Sequence, residues 1–160
     1  LSSMTYNNNH LSYYSRTISA NSSTETTMGS GDDNTGVKWI SLFSRRSSNI
    51  GGYDSGNNAP TNRASFTNTN GSGFYLGKAN STTGQLYKNG IQSATKVLTS
   101  GLFSNTNITI GAINTIANGL QFFSPKEFSY VSIGYGLTDN QAFQYNQIVQ
   151  RFQISLARNV

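Results

Sequence analysis

Glycoside hydrolysis needs two carboxylates a few ångströms apart, one acting as acid and the other as base or nucleophile. The chain carries six acids in 160 residues. Glu25 and Glu127 stand alone, Asp32-Asp33 lies in a Gly-rich turn, Asp54 sits in a Gly- and Asn-rich stretch, and Asp139 is committed to a helix start. A glycosidase of this kind is not expected. The single histidine, His10, could be a base or a metal ligand, but no acid pattern lies near it and there is no Gly-x-Ser-x-Gly elbow. A structural or solvent-facing role is expected for it. With no cysteine, the chain has no thiol nucleophile, disulfide framework or Cys-based zinc site. It reads as a protein that is not an enzyme and has no catalytic residue.

Binding chemistry is better represented. A sugar needs an aromatic ring against the apolar face of the pyranose and amide, carboxylate or guanidinium groups for its hydroxyls. Tyr53, with Asn49, Asp54 and Asn57 around it, meets that description and is the candidate glycan site. Trp39 could serve as well, but its flanking apolar residues place it in the core. Asp32, Asp33 and Asn34 offer hard oxygens of the kind that hold Ca²⁺. A plain turn explains them better, because Asp and Asn bond their own backbone in such sequences, and no cofactor or metal is expected. Four Asn-x-Ser/Thr sequons, at Asn21, Asn70, Asn80 and Asn107, follow from so Asn- and Ser-rich a composition.

The formal charge of +5 comes from eleven scattered Lys and Arg, with Arg45-Arg46 the only basic pair. Nucleic-acid binding would concentrate such charge in a patch interleaved with aromatics, so no nucleic-acid partner is expected. No apolar run is long enough to enter a membrane as a helix. Only 11% of residues are charged and 12% are aromatic, the rest being rich in Ser, Thr, Asn and Gly. This is the composition of a β-protein with polar loops.

The elements follow from periodicity. Residues 10–18, 24–28, 37–45, 63–67, 73–78, 107–113, 118–123 and 127–136 read as strands, and Ile40 and Leu42 alternate with Trp39 and Phe43 as in a strand covered on both faces. Asn89-Gly90 between two β-prone arms predicts a hairpin with a type I′ turn. Residues 46–60, with three glycines and a proline, read as a long loop. After Thr138 the period changes. Thr138 and Gln141 form a capping-box pattern, and Ala142, Tyr145, Ile148, Val149, Phe152 and Leu156 make one apolar stripe. The prediction is a single-domain antiparallel β-sandwich, or jelly roll, closed by one C-terminal amphipathic helix.

The motifs Leu86-Tyr-Lys-Asn-Gly-Ile91, Thr109-Ile-Gly-Ala112 and Ser132-Ile-Gly-Tyr-Gly-Leu-Thr-Asp139, then a helix ending Leu156-Ala-Arg-Asn159, resemble the second half of a concanavalin A-like lectin/glucanase (laminin-G-like) jelly roll. The resemblance implies a non-catalytic module of a virion or cell-surface protein, such as those of phage tails and bacterial surfaces, in an extracellular or virion-surface location. It implies a carbohydrate-binding, decoration or fibre role. In that family a Gly- and aromatic-rich strand precedes a segment like residues 7–14, and here the chain begins almost on that segment at Leu1. The expected partners are therefore a glycan or neighbouring structural chains, including further copies of this one, that complete the sandwich.

Overall fold

The computed structural model describes residues 4–19, 24–33, 35, 37–57 and 62–158. The strands are β1 (Asn8–Ser15), β2 (Met28–Gly31), β3 (Val37–Phe43), β4 (Ile50–Asn57), β5 (Arg63–Thr67), β6 (Gly73–Asn80), β7 (Thr83–Lys88), β8 (Ile91–Val97), β9 (Thr109–Ile110), β10 (Ile113–Thr115), β11 (Gly119–Gln121) and β12 (Phe128–Gly134), followed by the helix α1 (Asp139–Ser155). Two sheets form a sandwich. One has the order β12-β1-β6-β7-β8; the other runs β11-β10-β2-β3-β4-β5, with β9 beside β2. Pairing is antiparallel except between β10 and β2. β1 is paired along both edges, by β6 and by β12.

The core lies where the inner faces meet. Leu11, Tyr13, Tyr75 and Leu86 from the first sheet pack on Met28, Ile40, Leu42, Tyr53 and Ala64 from the second. The rings of Tyr13 and Tyr75 stack at 5.3 Å. Burial raises the pKa of Tyr13, Tyr53 and Tyr75 above the ordinary tyrosine value. Because the folded values are raised, the stability these phenols contribute is complete below the unfolded value of about 10 and drains away as pH climbs past it. Unfolding by alkali, with tyrosinate absorbance and circular dichroism changing together above about pH 10, is the expected result. Tyrosinate appearing without loss of structure would contradict it.

The hairpin is as predicted, with Asn89 at φ 50° and Gly90 at φ 80° joining β7 to β8. The helix start is as predicted too: Thr138 accepts from the Gln141 N–H, and the Gln141 side chain accepts from the Thr138 N–H. Lys78 ties that end of α1 to the sheet, its buried ammonium donating to the Leu137 carbonyl at 2.9 Å and to Asp139 at 2.7 Å.

Two expectations are corrected. Residues 50–57 are strand β4, not loop, because glycines there admit side chains from neighbouring strands. A Cβ on Gly52 would stand 2.2 Å from the Phe43 ring. The helix stripe is also rotated. Ala142, Val149 and Gln153 are buried, the amide of Gln153 taking a hydrogen bond from the Ser129 hydroxyl, whereas Ile148, Phe152 and Leu156 are exposed. Phe152 would cost about 3 kcal/mol to truncate if fully buried. At 46% exposure, Phe152→Ala is expected to cost about 1 kcal/mol in urea denaturation. A loss above about 3 kcal/mol would return the ring to the interface.

Candidate ligand-binding face

The outer face of the second sheet carries a cluster of charged side chains. On β3, Ile40 and Leu42 point into the core, so Ser41 and Phe43 point out. Asp54 of β4 lies across from Ser41 and beside Arg63 of β5. Its carboxylate is fully buried and accepts three hydrogen bonds, from the Ser41 hydroxyl at 2.6 Å and from Arg63 Nε and Nη2 at 2.7 and 2.8 Å. Both guanidinium groups of the site lie on Phe43. That of Arg46 is 3.6 Å from the ring centroid, and that of Arg63 is 5.1 Å away.

Arg46 is anchored from the other side. Its Nε donates to the Glu25 carbonyl at 2.9 Å and its Nη2 to the Thr26 hydroxyl at 3.3 Å. Burial, and then the charge of Arg63, pull its pKa down to about 10. Two cations thus share one carboxylate, an arrangement that leaves positive charge uncompensated at a half-buried position. Glu25 is itself spent on a buried ion pair with Lys126. Arg46 and Arg63 each retain an Nη1 that bonds no described residue, and the exposed Ile50, Ser65 and Thr67 extend the same face along β4 and β5. Fixed guanidinium forks of this kind suit a carboxylate or a pair of vicinal hydroxyls.

Of the four residues expected to bind glycan, only Asp54 belongs to this cluster. Tyr53 points the opposite way, with no exposed surface, and its hydroxyl donates to Asn9 at 2.5 Å. Its ring cannot meet a sugar. Asn49 sits in the turn before β4, where its amide oxygen accepts from Arg45 Nε and Nη2 at 3.1 and 2.8 Å. Asn57 is at the far end of β4, donating to the Ser100 carbonyl. The set is therefore dispersed, because the stretch is a strand whose alternate residues face opposite ways.

The remaining candidates are also placed. Trp39 is 5% exposed and its indole donates to the Asp33 carbonyl at 2.7 Å, as its core assignment anticipated. Asp33 accepts from the N–H and hydroxyl of Thr35, an Asx turn, and Asp32 pairs with Lys38. Asn34, the third candidate Ca²⁺ ligand, lies outside the described residues, as does the sequon at Asn21. Glu127 is held by Arg16 at 2.7 Å. His10 is half-buried and bonded to the Tyr135 carbonyl and to Ser132. The sequence signal for the new site was the lone basic pair Arg45-Arg46 beside a strand ending in Phe43.

No family model matches the sequence, and no curated protein does. Solved structures do match. A Ruminococcus gnavus structure described as IT-sialidase CBM40 superposes with a TM-score of 0.62 at 15% identity, over 87% of this chain and 82% of that one. The two share the jelly-roll β-sandwich fold. The NanB sialidase of Streptococcus pneumoniae gives a TM-score of 0.61 at 14% identity over 88% of this chain. This chain spans only 24% of that enzyme's length. Among the described residues, no helix is long and apolar enough to cross a membrane.

Proposed function

We propose that the chain is a carbohydrate-binding module of a cell-surface or virion protein that holds its glycan without cleaving it, an acidic glycan seated on the outer face of the second sheet. The observation that carries this reading is the pair Arg46 and Arg63, stacked on one buried ring with a single carboxylate between them and, on each, an Nη1 that bonds no described residue. A sugar carboxylate supplies the missing negative charge. The neighbours in fold, described as a sialidase and a sialidase CBM40, support a sialylated ligand.

Titration calorimetry with a sialylated oligosaccharide and its desialylated counterpart tests it. The sialylated sugar alone should bind, and Arg46→Gln should weaken it about tenfold or more, the worth of one charge-assisted hydrogen bond. Binding should also weaken with added salt. Equal binding of both sugars, or of wild type and Arg46→Gln, would remove the reading.

A second reading, a structural subunit that pairs its edge with a neighbouring chain, has one observation in its favour. β12 is the outermost strand of its sheet and contains no charged residue or proline to discourage edge pairing. Sedimentation as a monomer at high concentration would count against it.

A further inference from the structure

We propose that Ser132 and His10 form a nucleophile and base able to hydrolyse a small carboxylic ester held in the groove between α1 and β12. The pairing of β1 with β12 sets His10 opposite Gly134. The imidazole lies over that glycine so closely that a Cβ there would stand 2.6 Å from Cε1, and the ring reaches two groups at once. Nδ1 is 2.6 Å from the Tyr135 carbonyl oxygen and Nε2 is 3.1 Å from the Ser132 hydroxyl. A carbonyl can only accept, so the Nδ1 position carries the proton and Nε2 presents its lone pair to Ser132. This is the arrangement of an activated serine: a nucleophile, a base, and a third group that fixes the base's tautomer.

The surroundings fit the same chemistry. Burial lowers the His10 pKa below its ordinary value, which favours the neutral, proton-accepting ring. The Tyr145 hydroxyl donates to Ser132 Oγ at 2.5 Å, within 2.6 Å of the Tyr130 hydroxyl behind it. That contact holds Ser132 Oγ in place beside the base. The groove beside them has a volume of 430 Å³, with Ile133, Leu137 and Ile148 as apolar walls and Gln141 and Gln144 as polar ones. That is room for a short acyl chain against the aliphatic side chains, with the alcohol portion, a sugar hydroxyl included, toward the amides.

The reaction balances without a redox partner. Ser132 Oγ bonds to the ester carbonyl carbon as its proton passes to His10 Nε2. The carbon–alkoxy bond breaks, and the alcohol leaves with that proton. Water then adds to the acyl carbon, giving a proton to Nε2, and the Ser132–acyl bond breaks as Ser132 recovers that proton and the carboxylic acid departs.

Two measurements on the full chain decide it: hydrolysis of p-nitrophenyl acetate, and labelling by a fluorophosphonate read by peptide mass. The expected result is turnover that falls at least about 100-fold in Ser132→Ala and in His10→Gln, with the phosphonyl group on Ser132. Wild-type turnover no faster than that of folded Ser132→Ala, which keeps the imidazole, would overturn the proposal. Should either variant fail to fold, the label decides: a phosphonyl group on Ser132 supports it, and one elsewhere or none overturns it. Because these residues lie on the other sheet from Arg46 and Arg63, glycan titration and ester hydrolysis can fail independently.

Discussion

Tyr53→Ala loses about 4 kcal/mol of unfolding free energy, measured by urea denaturation. The ring is enclosed by both sheets, lying against Gly77 of β6, where a Cβ would come within 2.2 Å of it. Removing the side chain empties that space and leaves Asn9 Oδ1 without its 2.5 Å donor. Tyr53→Phe keeps the ring and forfeits only the hydrogen bond, for about 1 kcal/mol. The contrast separates a core role from a sugar-stacking one. A surface platform would tolerate alanine within about half a kcal/mol, and that outcome would overturn the placement of the ring.

Asp54→Ala is expected to cost about 3 kcal/mol, the range for breaking a buried ion pair by deleting one partner. The loss is mostly that of what remains: Arg63 beside Arg46 with no carboxylate between them, and the Ser41 hydroxyl without an acceptor. A double-mutant cycle with Arg63→Ala checks the cause. If the uncompensated guanidinium is responsible, the double variant should cost clearly less than the two single losses added. Strict additivity would show that Asp54 acts independently of Arg63.

Features encoded locally were legible in the sequence. Thr138 and Gln141 announce the helix, and Asn89-Gly90 the hairpin, because neighbours in sequence satisfy each other's backbone there. The gross fold was readable for the same reason, strand after strand separated by turn residues. What escaped was set by partners distant in sequence. Glycine in β4 looks like loop until Phe43 is seen filling the space above Gly52. The stripe on α1 was wider than the surface it covers, so periodicity alone placed Phe152 inside and missed Gln153. The candidate site shows the same limit. Arg46 and Arg63 come together through strand pairing, and His10 finds Ser132 only because β1 lies along β12, so neither cluster has a spacing that could be read.

That last pairing also bears on how the chain acquires its structure. β1 waits for a neighbour 120 residues further along the chain, Ser12 finally lying across from Ser132. Until then one border of the nascent strand offers open amides and carbonyls to any passing chain. Such a topology folds slowly, and its half-made intermediates are the species most in need of chaperone protection.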